Sequence, residues 1–209
     1  NANSKIRVRL LSRNGNDRFD GSFFYRRIQY AYEYRSSVFE QLPDAFRLVY
    51  GESDGLPGLT VDVFHDVVVT QTLSMGTELR KKMIFDAIVK MLQKSGKTIR
   101  GIYERNDVKI REKEGLEENT GWYFLNGSSD TTVQIEENGI FYHVDFANGQ
   151  KTGFFLDQKE NRMRIRAIAH DKTILDCCTH TGSFAMNAMK GGCKKVTALD
   201  VSEKALDTA

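Results

Sequence analysis

The chain is poor in the residues that mark several classes of protein. Its 209 residues include only two prolines and three cysteines, Cys177, Cys178 and Cys193, which lie in one short region. An odd, clustered set of cysteines is not a disulfide framework, and so few prolines exclude Pro-rich or collagen-like architecture. No apolar run approaches the roughly 18–20 residues that span a bilayer, and the opening NANSKIRVRL lacks the apolar block of a signal peptide. These absences predict a cytoplasmic protein with no membrane partner.

The composition that remains is that of a globular protein. Hydrophobic residues make up 40% and charged residues 28%, and the net charge is only +2. The charge is nevertheless unevenly distributed. The first fifty residues contain nine basic and five acidic residues, and residues 151–166 contain five basic and two acidic residues. Such basic faces fit nucleic acid, but ordinary solvated surface explains them equally well.

The N-terminal region predicts a strand and then a long helix. Apolar residues alternate with basic ones from Lys5 to Leu11, which is the period of a half-buried strand. A strand that begins at the fifth residue, without an earlier partner, suggests that the chain is cut from something longer. From Ser22 the apolar spacing becomes helical until Leu42, just before Pro43, with Arg26, Arg27 and several tyrosines on the exposed face.

The middle of the chain, 45–147, predicts a small α+β domain. Strands at 46–73 form an antiparallel meander with a turn at His65-Asp66, and a helix covers 77–94. Further strands are expected at 99–104 and 122–125, where Trp122 serves in packing. The pair Asn138-Gly139 between two alternating segments is the strongest hairpin signal in the sequence.

From 148 onward, helices alternate with short apolar strands, which predicts a parallel, doubly wound sheet. A helix begins at Asp157, where Asp157 and Glu160 form a capping box. The strands TILDCC and KVTALD flank a glycine turn and a second helix. Two strands are too few for a stable sheet of this type, so we expect only its first half here.

The predicted chemistry lies at the carboxyl ends of these two strands. Asp176 ends the first strand, Thr181-Gly182 forms the turn, and Asp200 ends the second strand. Ligands of open α/β sheets bind at this edge, where an acid accepts hydrogen bonds from ribose hydroxyls. One glycine, where a pyrophosphate-binding turn needs three, favours a nucleoside cofactor without phosphates, and S-adenosylmethionine fits. The alternative is a generic crossover with incidental acids.

Two segments of the sequence resemble a known family. They are GQKTGFFLDQKENR at 149–162 and ILDCCTHTGSFAMNAMKGGCKKVTALDVSEKALD at 174–207. They resemble the class I S-adenosylmethionine-dependent methyltransferases of the bacterial rRNA large subunit, and more narrowly those that make 5-methylcytosine in 23S rRNA and carry a PUA domain. The resemblance implies the end of a PUA-like domain at 1–21, a linking helix at 22–44, a central α+β domain at 45–147, and the N-terminal half of a Rossmann-like methyltransferase domain at 148–209.

The resemblance also implies the residues that bind S-adenosylmethionine. They are Thr152, Gly153, Phe155, Asp157, Gln158, Arg162, Asp176, Thr181, Gly182, Phe184 and Asp200. The sequence departs from the family pattern at Cys178 and His180, where an aromatic is usual, and at Ser183, where glycine is frequent.

The implied chemistry is methylation of cytosine carbon 5, which requires a cysteine thiolate to add to the base. The family's catalytic cysteine is expected beyond Ala209, so no catalytic residue is assigned in this chain. Cys177 and Cys178 are interpreted as packing residues of a buried strand. No histidine has metal-ligand neighbours, so no metal site is predicted.

The implied partner is ribosomal RNA, with a homodimer as one possible assembly. Five arginines of the N-terminal region are the predicted RNA contacts: Arg7, Arg9, Arg26, Arg27 and Arg35. Two alternatives stay open. A guanine-N7 rRNA methyltransferase would need no catalytic cysteine, and a non-catalytic RNA-binding module would need no cofactor.

Overall fold

The structure is a computed structural model that describes residues 6–209. The chain divides into two compact units. The first comprises residues 6–133 and 144–154, and the second comprises residues 134–143 and 155–209.

The first unit is built on a five-stranded sheet with the strand order β1-β2-β3-β4-β5. Neighbouring strands are antiparallel, except that β3 and β4 are parallel because helix α3 connects them. The elements are α1 (Gly21–Val38), β1 (Ala45–Tyr50), β2 (Leu59–Phe64), β3 (Val67–Thr72), α2 (Met75–Glu78), α3 (Lys81–Lys94), β4 (Gly101–Arg105), α4 (Ile110–Lys113) and β5 (Thr120–Leu125), with a 3₁₀ turn at Gly51–Asp54. The predicted meander and its turn are confirmed.

The core of this unit lies between the sheet and helices α1 and α3. Ile28 of α1, Ile88 of α3 and Val61 of β2 are fully buried in one cluster. Asp20 caps α1 by accepting hydrogen bonds from the N–H groups of Ser22 and Phe23. The apolar helical stripes that the sequence shows therefore face the sheet.

Trp122 packs in an aromatic cluster of the first unit. Its ring meets those of Tyr103 and Phe146 edge to face, with centroids 5.3 and 5.5 Å away. Gly101 lies opposite this cluster, and a Cβ there would come within 2.7 Å of the Trp122 ring. Only glycine allows β4 and the indole to approach so closely.

The Asn138-Gly139 hairpin forms as the sequence predicts. Strands β6 (Thr132–Glu137) and β7 (Ile140–Asp145) make a two-stranded sheet, and both turn residues have positive φ, 57° and 71°. Two positive φ values in a two-residue turn match the twist of the flanking strands.

The second unit contains the predicted alternation of helices and strands. After a 3₁₀ turn (Leu156–Gln158) come α5 (Lys159–Ile168), β8 (Thr173–Cys177), α6 (Ser183–Lys190), β9 (Lys195–Leu199) and α7 (Glu203–Thr208). Strands β8 and β9 pair in parallel over five residues, from Thr173 opposite Lys195 to Cys177 opposite Leu199. The match to a Rossmann-like methyltransferase fold is described below.

Three local predictions are wrong. Lys5 lies outside the described residues, and residues 6–11 form no strand because they find no partner strand among the described residues; Val8 and Leu10 are exposed. Helix α1 ends at Val38 rather than Leu42, since Phe39 is already extended ahead of Pro43. The helix predicted at 77–94 is divided into α2 and α3.

The capping box at Asp157 does not form. Asp157 lies within the 3₁₀ turn, and α5 begins only at Lys159, without a side-chain capping hydrogen bond. A capping box needs the helix to start directly after the acid. Within 6–209, no helix is long and apolar enough to cross a membrane.

Candidate cofactor site

The candidate site is the edge of the second unit where β8 and β9 end. The parallel pairing brings Asp176, in β8, and Asp200, which follows β9, to the same edge. Residues 178–182 form the loop between β8 and α6 at this edge. Open α/β sheets bind their ligands in this position.

Asp200 holds the backbone of that loop. Its Oδ2 accepts a hydrogen bond from the His180 N–H at 2.8 Å, and its Oδ1 accepts one from the Ser202 N–H at 2.9 Å. The Ser202 N–H, and then that of His180, keep the pKa of Asp200 below its ordinary value. An ionised carboxylate has about four acceptor positions, so Asp200 retains acceptor capacity for a ligand hydroxyl.

Asp176 fixes the start of α6. Its Oδ2 accepts hydrogen bonds from Thr179 Oγ1 at 2.5 Å and from the Ala185 N–H, in the first turn of α6, at 3.0 Å. Both bonds use one oxygen, and among the described residues Oδ1 accepts no hydrogen bond. Asp176 therefore both shapes the loop and offers a negative oxygen at the site.

The loop between β8 and α6 has an unusual backbone. Cys178, His180 and Gly182 have positive φ values of 60°, 53° and 73°. The N–H of Thr179 bonds to the carbonyl of Leu199 at 3.0 Å, which anchors the loop to β9. The N–H of Gly182 bonds to the Thr179 carbonyl at 3.0 Å, which closes a turn within the loop. At the end of the loop, the N–H groups of Ser183 and the next residue have no acceptor inside α6.

His180 lies in this loop against Phe155. The two rings are edge to face, with centroids 5.4 Å apart, and Nδ1 of His180 is 3.3 Å from Thr181 Oγ1. Burial lowers the pKa of His180, and the negative charge of Asp200 offsets part of that effect. Burial therefore favours the uncharged form of His180. Phe184, the second residue of α6, is half-buried beside the loop.

The other residues of the second unit that were predicted to bind the cofactor differ in their exposure to solvent. Asp157 is exposed, and its Oδ2 accepts a hydrogen bond from Gln158 Nε2 at 3.1 Å. Arg162 is fully buried: its guanidinium makes a bidentate pair with Glu137 at 2.6 and 2.9 Å, and both terminal nitrogens donate to the Phe155 carbonyl at 3.1 Å. Arg162 therefore fixes the backbone of Phe155.

Glu137 is absent from the sequence-based set of site residues, although a signal existed. Strand β6 alternates, and Val133 and Ile135 point inward with Glu137. A carboxylate at one of the buried, otherwise apolar positions of a strand needs a buried cationic partner.

Thr152 and Gly153 belong to the first unit. Thr152 is buried, and its Oγ1 donates to Asp62 Oδ2 at 2.5 Å. Gly153 has a φ of 121°, and a Cβ there would come within 2.8 Å of Val144 Cγ1. Both residues therefore have clear structural roles in shaping their loop, and their predicted cofactor contact stays a prediction.

The burial predicted for Cys177 and Cys178 is wrong, because both are exposed. Strand β8 pairs only with β9 among the described residues, so the sheet face that carries Leu175, Cys177 and Leu199 is uncovered. Cys177 is the last residue of β8, and Cys178 is the first residue of the loop that carries His180.

The predicted RNA-binding arginines are largely engaged within the first unit. Arg9 bonds to Glu114 Oε1 at 3.2 Å, and Arg35 makes a bidentate pair with Asp54 in which both side chains are mostly buried. Such pairing is a structural role.

The other three arginines reach solvent to different extents. Arg26 pairs with Asp17 at 2.6 Å and keeps 41% of its side chain exposed. Arg27 is half-buried and donates to the Leu11 carbonyl at 2.9 Å. Arg7 is exposed. Of the two arginines predicted on the exposed face of α1, Arg26 is partly exposed and Arg27 is half-buried. The RNA contacts of the five arginines stay a prediction.

No group of three or more His, Cys, Asp and Glu side chains is arranged to hold a metal ion in the described part of the chain. The polar groups at the β8–β9 edge are instead carboxylate acceptors and backbone donors. They suit an organic ligand that carries hydroxyl and charged groups.

The C-terminal part of the chain, which contains this site, matches the model of a known family. Residues 108–209 match the model of a family described as S-adenosylmethionine-dependent methyltransferases. The match covers all of β8, α6 and β9, and the family that it describes is the class, with the same cofactor, that the sequence predicted.

Particular relatives are rRNA methyltransferases. The chain is 43% identical over 207 residues to Ribosomal RNA large subunit methyltransferase I of Alteromonas mediterranea and 45% identical over 208 residues to the protein of that name in Pseudoalteromonas translucida. These alignments cover 99% of the chain but 50% and 51% of the relatives, so the chain spans about half their length.

A solved structure supports the fold. A protein from Streptococcus mutans, assigned as a SAM-dependent methyltransferase, superposes with a TM-score of 0.77 at 23% identity, over 92% of this chain and 48% of that one. At this identity the likeness shows the fold alone, which is the mixed α/β, Rossmann-like methyltransferase fold.

Proposed function

We propose that the protein transfers a methyl group from S-adenosylmethionine to carbon 5 of a cytosine in large-subunit ribosomal RNA. The observation that carries the proposal is the β8–β9 edge, where Asp176, Asp200 and the loop that Asp200 holds lie together. The relatives named as rRNA large-subunit methyltransferases support RNA as the substrate class.

The polar groups of the edge fit the cofactor. Asp200 would accept hydrogen bonds from the ribose hydroxyls, since a carboxylate accepts two parallel donors. The Oδ1 atom of Asp176 would attract the positive charge of the methionine part. The N–H groups at the start of α6, which lack acceptors inside the helix, would bind its carboxylate, because helix N-termini favour anions.

The loop contributes shape rather than charge. Burial favours the neutral form of His180, and this form adds no repulsion to a cationic ligand. The bound cofactor supplies an electrophilic methyl group. In this proposal, the residues of this chain hold and orient that donor.

The cytosine target rests on the resemblance of residues 149–162 and 174–207 to the PUA-containing cytosine-C5 enzymes. That chemistry needs a thiolate that adds to carbon 6 of the base. We propose that this thiolate belongs to a part of the protein outside this chain. Cys177 and Cys178 are not assigned to the role.

Transfer of labelled methyl groups tests the function. The full-length protein would be incubated with methyl-labelled S-adenosylmethionine and unmethylated 23S rRNA, and the RNA would then be digested to nucleosides. We expect the label in 5-methylcytidine. Label in 7-methylguanosine would contradict the cytosine target and support the alternative enzyme, whereas RNA binding without cofactor binding would identify a non-catalytic module.

A further inference from the structure

We propose that Glu137 is a positioning residue of the cofactor site: through Arg162 it fixes Phe155 against His180 and so maintains the shape of the 178–182 loop. The inference rests on the proposed function and deepens it. Glu137 contacts no ligand in this scheme.

The first step is the buried ion pair. Arg162 is fully buried and Glu137 is 4% exposed, and their bidentate contact is 2.6 and 2.9 Å. Two charges are removed from water here, and removing either one would leave the other uncompensated. The geometry of the guanidinium is therefore fixed by the hairpin that carries Glu137.

In the second step, the fixed guanidinium of Arg162 holds the backbone of Phe155. Both terminal nitrogens of Arg162 donate to the Phe155 carbonyl at 3.1 Å. Phe155 lies just before the 3₁₀ turn and is the first residue of the second unit after its chain re-enters that unit. A fork of two donors on one carbonyl restricts the direction of the peptide.

The third step joins Phe155 to the loop. Its ring meets the His180 ring edge to face at 5.4 Å, and the His180 N–H bonds to Asp200. His180 has a φ of 53°, which a non-glycine residue keeps only when its surroundings enforce it. Phe155 on one side and Asp200 on the other provide that enforcement.

Four variants of the full-length protein test the proposal. Glu137→Gln keeps the size of the side chain but removes its charge. Glu137→Leu combined with Arg162→Met removes both charges together with the donors to Phe155. Phe155→Leu removes the ring and keeps the ion pair. Arg166→Gln is the matched control, since Arg166 lies one turn later on α5 and donates to Asn187 Oδ1 at 2.8 Å instead.

Three quantities are measured: the thermal midpoint, the dissociation constant of S-adenosylmethionine by calorimetry, and the titration of His180 by NMR in the ligand-free protein. We expect Glu137→Gln to weaken cofactor binding by about tenfold, which is the lower end of the loss in metal affinity when a residue that orients a metal ligand is replaced. The pKa of His180 should rise toward its ordinary value, because a displaced Phe155 no longer helps to bury the ring. Arg166→Gln should alter neither quantity.

The double variant separates positioning from stability. Replacing both charges with apolar side chains commonly restores stability, so its thermal midpoint should recover relative to Glu137→Gln. Cofactor affinity should stay low, because Phe155 still lacks its donors. Recovery of affinity along with stability would overturn the proposal.

The remaining outcomes are also decisive. If Glu137→Gln does not fold, Phe155→Leu still tests the last step, and an unchanged His180 titration in that variant would overturn the proposal. If the parent protein does not bind S-adenosylmethionine, the proposed function fails. The ligand-free titration of His180 would still decide the positioning role.

Discussion

Thr152 Oγ1 donates a hydrogen bond to Asp62 Oδ2 at 2.5 Å across 90 positions of sequence. Asp62 is fully buried and also receives two hydrogen bonds from Arg47. The loop that carries Thr152 is thus tied to the central sheet of the first unit through a buried charge.

Thr152→Val should destabilise the protein. The substitution keeps the shape but leaves one position of a buried carboxylate without its donor, which costs about 1–3 kcal/mol. Urea unfolding would measure the loss. Thr132→Val, at an exposed strand position, is the control and should change stability by less than about 0.5 kcal/mol. Equal effects of the two changes would contradict a structural role for Thr152.

Asp200→Ala should weaken S-adenosylmethionine binding by about ten- to a hundredfold, because it removes the carboxylate that we propose as the acceptor for the two ribose hydroxyls. Calorimetry on the full-length protein gives the dissociation constant. Asp207→Ala, which removes an exposed carboxylate of α7, is the control and should leave affinity unchanged. Parent-like binding by Asp200→Ala would remove Asp200 from the site.

The titration of His180 should show a pKa below its ordinary value of 6.5, since burial disfavours the charged ring. Because the folded pKa is the lower one, the unfolded chain takes up this proton first as pH falls. The contribution of His180 to the free energy of unfolding therefore decreases as pH drops below about 6.5. NMR of the ring protons measures the titration.

Asp200→Asn should lower the pKa of His180 further, because the attraction of the carboxylate for the imidazolium is removed. Glu203→Gln, an exposed change in α7, is the control and should leave the titration in place. A rise of the His180 pKa in Asp200→Asn would show that the two groups interact differently from the geometry described above.

Cys177→Ala and Cys178→Ala should each keep methyl transfer within a few fold of the parent. Removal of a nucleophile typically reduces turnover by orders of magnitude, so the distinction is wide. Trapping on RNA that contains 5-fluorocytosine gives the direct readout. A covalent complex that disappears only in one of these variants would place the nucleophile in β8 or its loop.

Arg7→Ala combined with Arg26→Ala should weaken RNA binding. The slope of log affinity against log salt should decrease by about 0.7–0.9 for each phosphate that the protein no longer neutralises. Cofactor affinity should not change. Arg35→Ala is the contrasting variant: its guanidinium is held by Asp54, so it should lower the thermal midpoint without changing the slope. A parent-like slope in the double variant would mean that RNA is bound elsewhere.

Regular patterns in the sequence were sufficient for most elements of the fold. Local contacts form the Asn138-Gly139 turn, the meander around His65 and the alternating helices and strands after 155. The spacing of hydrophobic residues and the residue types of the turns are therefore enough to predict them. The N-terminal alternation failed because a strand also needs a partner, which a local pattern does not contain. The exposure of Cys177 has the same origin, since burial depends on what covers the sheet.

Part of the site was predictable because it also depends on local patterns. The two apolar strands can be recognised in the sequence, and Asp176 and Asp200 lie at their ends. The roles of Arg162 and Thr152 depend on Glu137 and Asp62, which lie 25 and 90 positions away, and no local spacing connects them.

The left-handed residues of the 178–182 loop have a thermodynamic consequence. Hydrogen bonds from Thr179 to Leu199 and from His180 to Asp200 fix this backbone within the protein's own fold. A ligand that binds there orders little additional chain, so its binding loses little conformational entropy. The conformational entropy of the loop is lost when the protein folds. The free energy of a ligand's contacts therefore contributes to its affinity without a further loss from ordering the loop.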